Sequence, residues 1–105
     1  MRIPQIVNFI MYRNTDFVNI FDFITLDIST YTFISKIRDK NNNLIETFTL
    51  SKPTNFQLRM DLSETQTQDL ELETYYYDII QTVSNISEII IKGIITVENT
   101  ISNFE

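Results

Sequence analysis

Thr74-Tyr75-Tyr76-Tyr77-Asp78-Ile79-Ile80 and, after a polar interval, Ile89-Ile90-Ile91-Lys92-Gly93-Ile94-Ile95-Thr96-Val97 are the two stretches whose reading decides the fold. Both are rich in aromatic and β-branched residues, which fit a pleated, half-buried surface. The interval from Thr82 to Glu88 holds Ser84, Asn85 and Ser87, all turn formers. The pair therefore reads as an antiparallel hairpin. Period two places Tyr75, Tyr77, Ile79 and Val83 on one face, and Ile91, Gly93, Ile95 and Val97 can line the same face. The opposite face then carries Tyr76, Ile80, Ile90 and Ile94. A helical reading of Thr82 to Ser102 rests on its dense Ile, but β-branched residues and Gly93 are poor helix interiors.

Outward from the hairpin, the chain breaks into short apolar runs separated by Asn, Asp, Ser and Thr. Residues 1–8 read as an arm, since Arg2 and Pro4 disfavour pairing before Ile6. Val7 to Arg13 is a first strand, Arg13-Asn14-Thr15-Asp16 a break, and Phe17 to Ile28 a long second strand. Tyr31 to Arg38 alternates cleanly, with Tyr31, Phe33, Ser35 and Ile37 facing one way and Thr32, Ile34, Lys36 and Arg38 the other. Asp39 to Asn43 is a hairpin loop, and Leu44 to Leu50 returns. Phe56, Leu58, Met60 and Leu62 point inward from the next strand. Ser63-Glu64-Thr65-Gln66 fits a capping box and predicts one helical turn through Leu70. Residues 99–105 form a polar tail.

This gives about seven strands with turn signals roughly every ten residues, a spacing that favours a sandwich or barrel over an α/β fold. Leu70-Glu71-Leu72-Glu73 leading into Tyr75 and Tyr77 resembles the tyrosine corner of immunoglobulin-like sandwiches, with Tyr77 in the core position held by Cys in antibody domains. An outward-pointing Tyr75 would give the same letters. The expected architecture is a single all-β domain over residues 1–105, an immunoglobulin-like antiparallel β-sandwich.

Composition bounds the function. The 105 residues suffice for one core without metal or disulfide staples. One Gly makes a phosphate-cradling loop untenable. A net charge of −6 argues against nucleic acid, whose affinity comes from Lys and Arg on phosphates. The basic Arg2, Lys36, Arg38, Lys40, Lys52, Arg59 and Lys92 are dispersed among acids. No apolar run reaches the roughly 18 residues of a membrane span, and Pro4, Gln5 and Asn8 interrupt any signal-peptide pattern. Without such a signal, Asn85-Ile86-Ser87 reads as a turn and not as a glycosylation site.

With no His and no Cys, the familiar nucleophile–base pairs and the nitrogen or thiolate metal sites have no residues to form them. Acid–base or Ca²⁺ chemistry would fall to Asp16, Asp22 and Asp27 or to Glu64, Asp69, Glu71 and Glu73. Neither group has the spacing of a calcium loop, and both read as solvated loop and edge residues. Asp22 and Asp78, set in apolar strands, are candidates for salt bridges with Arg13, Arg38 or Lys92. The expectation is a protein that binds and does not catalyse, with no cofactor and no metal.

Several segments together resemble an immunoglobulin-like module of tailed-phage structural proteins. Arg13-x-x-Asp16-Phe17 is similar to that family's opening step. Asp27-Ile28-Ser29-Thr30-Tyr31-Thr32-Phe33 through Ile37-Arg38, Leu62-Ser63 with Gln66-Thr67, Thr74-Tyr75-x-Tyr77-Asp78-Ile79, and Lys92-Gly93-x-x-x-Val97 resemble its later strands in order and spacing over residues 13–100. The family's Gly residues are replaced by Asn14, Thr30 and Glu73, and the loop between Leu26 and Tyr31 is short. The resemblance implies a non-enzymatic virion protein assembled in a bacterial host. Its expected partner is the major capsid protein, another virion protein or a head fibre, contacted in many copies as a capsid auxiliary or head-fibre attachment protein. A baseplate or neck adaptor is the alternative, and a carbohydrate-binding or adhesion module is a rival from another class.

Sheets of such sandwiches are polar outside, so apolar outer residues point to an interface. Tyr76, Ile80, Ile90 and Ile94 form the first candidate, unless the register slips by one or the N-terminal arm or Ile6 to Met11 covers them. The arm Met1 to Asn8, with Ile3 and Ile6, forms the second, and it or the tail Asn99 to Glu105 would add as a strand to a neighbour's open edge. On that reading, removing residues 1–6 leaves folding nearly intact and weakens assembly.

Overall fold

The structure, a computed structural model, describes residues 4–100. Its strands are β1 (Gln5–Ile6), β2 (Phe9–Tyr12), β3 (Phe17–Asp22), β4 (Thr32–Arg38), β5 (Leu44–Thr47), β6 (Thr49–Ser51), β7 (Gln57–Leu62), β8 (Thr74–Val83) and β9 (Ile86–Glu98). One short helix, α1 (Glu64–Gln68), joins β7 to the final hairpin. The larger sheet runs β1-β9-β8-β4-β5 with β2 also on β9, and the smaller runs β3-β7-β6. The two pack face to face around Ile37, Leu58, Met60, Leu62, Ile79 and Ile95, all fully buried. In the lettering of immunoglobulin sandwiches, β3, β7 and β6 hold places B, E and D, while β4, β8 and β9 hold C, F and G. The chain is an all-β, immunoglobulin-like sandwich.

The hairpin β8–β9 is the spine of the larger sheet. Ser84 and Asn85 turn it with φ of 52° and 64°, the paired left-handed conformation of a tight type I′ connection. The turn is thus shorter than the interval Thr82 to Glu88, and both arms extend further: Thr82 pairs with Ser87 and Val83 with Ile86. Tyr75, Tyr77, Ile79, Ile91, Ile95 and Val97 face the core as expected. The Glu71 N–H donates to the Tyr75 hydroxyl at 2.9 Å, which closes a tyrosine corner. The capping box is also present, with the Gln66 N–H donating to Ser63 Oγ and the Ser63 N–H to Gln66 Oε1.

Four expectations are corrected. The strand from Phe17 ends at Asp22, whose carboxylate accepts the Ile24 N–H at 2.7 Å and turns the chain into a positive φ of 60° at Ile24. Ile28 still belongs to the core, but as a loop anchor whose N–H reaches the Asn55 carbonyl. The run Leu44 to Leu50 is divided at buried Phe48, where the chain leaves the larger sheet for the smaller. Phe56 precedes its strand and is 39% exposed. Within the arm, Gln5 and Ile6 are not free either, since they pair in parallel with Ile91 and Lys92.

The N-terminal strands meet β9 at the only glycine of the chain. A Cβ on Gly93 would lie 2.0 Å from the Val7 carbonyl oxygen and 2.9 Å from Asn8 Oδ1. The Val7 N–H donates to the Lys92 carbonyl at 2.9 Å, and its own carbonyl accepts the Tyr77 hydroxyl at 2.6 Å. Asn8 Oδ1 accepts the Ile94 N–H at 3.0 Å. Val7 and Asn8 separate β1 from β2, and Phe9 beyond them packs against Phe17 and Tyr77.

Two predictions follow from these contacts. Gly93→Ala should cost roughly 1–3 kcal/mol by overpacking, read as a lowered urea midpoint with the N-terminal strands losing amide protection first; an unchanged midpoint would contradict the close approach. Burial raises the Tyr77 phenol well above its ordinary value of 10.0 and raises that of Tyr75 too. A raised folded-state value gives stability that is complete below pH 10.0 and lost as pH rises beyond it. Circular dichroism should therefore show unfolding on the alkaline side, which Tyr77→Phe delays to higher pH even though its loss of the bond to Val7 costs about 1 kcal/mol at neutral pH.

Candidate protein interface

The outer face of the larger sheet is ordered in rows, because strand register aligns like residues across β4, β8 and β9. Arg38, Tyr76 and Ile94 form one row. Lys36, Asp78 and Lys92 form the next, continued by Ile6 on β1. Ile34, Ile80 and Ile89 form the third, and Thr32, Thr82 and Ser87 the fourth. In that last row the Thr82 and Ser87 hydroxyls are 2.8 Å apart. The face thus runs from a mixed band, Arg38 beside Tyr76 and Ile94, through a charged band and an apolar band to a hydroxyl band, at the period of the strands.

Of the stripe expected from sequence, Tyr76 is 47% exposed, Ile94 is 37% exposed and Ile80 is half-buried. Ile90 does not belong to it. A bulge between Ile79 and Ile80 sets Ile79 opposite Ile91 but Ile80 opposite Ile89, so Ile90 is the extra residue. Ile90 tucks into the core at 5% exposure, and Ile89 takes the outer position. Ile6 is exposed on the same face beside Lys92, whereas Ile3 lies outside the described residues. Residues 6–11 do not cover the stripe, because β1 and β2 extend the sheet sideways along β9.

Beside Tyr76 the face is concave. A groove of about 440 Å³ runs along β4 and β8, lined among others by Ile34, Lys36, Arg38, Lys40, Tyr76 and Ile80. Its end wall is the loop 39–43, which the Asp39 carboxylate holds by accepting the Asn41 and Asn43 N–H groups at 2.9 Å each. The bond from Asn43 lowers the Asp39 carboxyl below the ordinary carboxylate range. Arg38 donates to the Asn42 carbonyl at 3.2 Å across the same loop. Four of the eight basic residues, Lys36, Arg38, Lys40 and Lys92, therefore gather on one face.

The other charges are spread elsewhere. Arg13 donates to the Gln68 carbonyl, Arg59 pairs with Asp61 at 3.6 Å, and Lys52 donates to the carbonyls of Ser29 and Tyr31 over the Phe33 ring. Asp22 is tied to its own loop, and Asp78 stands between Lys36 and Lys92. Asp16 and Asp27 likewise accept backbone N–H groups, from Glu64 and Ser29. Desolvation and the neighbouring Glu71 carboxyl raise the Glu73 carboxyl from its ordinary value.

Sequence reasoning put Ile34, Lys36 and Arg38 on one face of their strand but did not join that face to this one. The missing information was that β4 lies next to β8. Compared with known family models and with curated proteins, the sequence matches none.

Proposed function

We propose that this chain is a non-enzymatic structural protein of a tailed-phage virion, seated on the capsid surface as an auxiliary or head-fibre attachment protein. The contact surface is the outer face of the larger sheet. The observation that carries this reading is the apolar pair Tyr76–Ile94 and the apolar row around Ile80, left uncovered by the described residues on the outer face of the sheet. Sequence resemblance to phage immunoglobulin-like modules supports the virion setting. Tyr and aliphatic anchors supply the apolar centre of an interface, and the Lys36–Asp78–Lys92 row between them sets orientation against a partner's charges.

The test separates heads from tails on a density gradient and counts this chain against the major coat protein by mass spectrometry. Many copies on heads are expected. A few copies on tails would move the protein to the baseplate or neck, and absence from both would sink the virion reading. On stripped heads, Tyr76→Lys with Ile94→Lys should weaken rebinding roughly tenfold or more, while the exposed substitution Thr65→Lys on α1 leaves it unchanged.

A further inference from the structure

Four strand edges face outward in this sandwich, and three carry the usual protection against pairing. β6 has three residues and is followed by Pro53. β5 has four, includes Glu46, and follows a register shift at Ile37/Arg38. The edge formed by β1 and β2 is broken at Val7 and Asn8. β3 differs from all of them. Its six residues pair with β7 in unbroken register from Phe17↔Leu62 to Asp22↔Gln57, with no bulge. Among the described residues, its other side has no strand on it. Phe17-Val18-Asn19-Ile20-Phe21 holds no charge, no Pro and no Gly, and Val18 and Ile20 are 47% and 49% exposed on the outer face.

The first strand of an immunoglobulin sandwich can cover this edge by pairing with B. Here it cannot, because Gly93, Tyr77 and the Asn8–Ile94 bond hold both N-terminal strands on β9. An apolar, uncharged edge is thus left bare by the same contacts that complete the opposite sheet.

We propose that β3 is a self-pairing edge: two copies of this chain join antiparallel through it, about a two-fold axis at Asn19. The three-stranded sheet of each copy then becomes half of a six-stranded one. The sequence of the edge is what selects a second copy as the occupant. With Asn19 opposite Asn19, Val18 of each copy meets Ile20 of the other on the outer face, and Phe17 meets Phe21 on the inner face. Shifting the centre to Ile20 sets Asp22 against Val18, and shifting it to Val18 sets Asp16 against Ile20. Only the Asn19-centred register matches like with like throughout the uncharged segment. At its two ends Asp16 faces Asp22, so salt should strengthen the pairing by screening them. Each of these carboxylates already accepts a backbone N–H at 2.7 Å, from Glu64 and Ile24.

Sedimentation velocity on the whole chain over a dilution series should show a monomer–dimer equilibrium that tightens as salt rises. Val18→Lys with Ile20→Lys puts Lys opposite Lys twice and should weaken association roughly tenfold or more. Val18→Glu with Ile20→Glu should do the same, and mixing the two charged chains should restore a heterodimer. Asn19→Cys, in a chain with no other cysteine, should oxidise to a covalent dimer. Directly opposed Cα atoms lie about 4.5–5.5 Å apart, within disulfide reach; this readout decides the matter should a charged variant unfold. A chain monomeric at every concentration, a dimer indifferent to the edge charges, or one broken instead by Tyr76→Lys would each overturn the proposal.

Discussion

The contact on which the rest of the fold depends is the crossing of Val7 and Asn8 over Gly93. A backbone can approach a neighbouring strand this closely only where no Cβ intervenes, and the chain spends its one glycine there. The Tyr77 hydroxyl then has a buried acceptor, the Val7 carbonyl, without which a phenol in the core would carry an unsatisfied polar group. Phe9 enters the core just beyond this point, in the same register with β9 as Gln5 and Ile6. It stacks edge-on against Phe17 and also meets Phe21 and Tyr77, so it ties the two sheets together. One missing methyl group thus sets the path of the first strand, the partner of a buried hydroxyl and the packing between layers.

The outer face follows from a second local device, the bulge beside Ile80. A regular ladder would put Ile90 outside and Ile89 inside. One extra residue exchanges them and adds Ile90 to the core next to Ile91. The same shift keeps Ile89 in register with Ile80 and Ile34, so the apolar row stays continuous across three strands. The bands on this face therefore record alignment between strands as much as the composition of any one of them.

Much of this was legible in the sequence. Alternation alone divided β4 into its two faces and identified the inward residues of β7 and most of β8, because each strand is buried on one face and solvated on the other. The Ser63 cap and the Tyr75 corner were readable because each uses a fixed local spacing. Three features were hidden. A bulge has no letter of its own, which is why Ile90 was misplaced. The division of Leu44 to Leu50 at Phe48 depends on which sheet each half meets, and both halves are equally β-like. The pairing of residues 5–12 with β9 depends on a crossing whose only trace in the sequence is Gly93. What was missed was set by contacts distant in sequence, which periodicity cannot detect.

The placement of β1 and β2 has a consequence for how the fold is reached. Their partner is the last strand of the sandwich: Tyr77 is 70 residues from Val7, and Ile94 is 86 from Asn8. Closing loops of that size precedes any reward from the contacts they make, so topologies of this kind fold slowly. During synthesis, Phe9 and Met11 have no strand to join until β9 has left the ribosome. A nascent chain must therefore hold the apolar segment of β2 in the open while every intervening strand is made, when an unpaired strand is most exposed to the wrong neighbour.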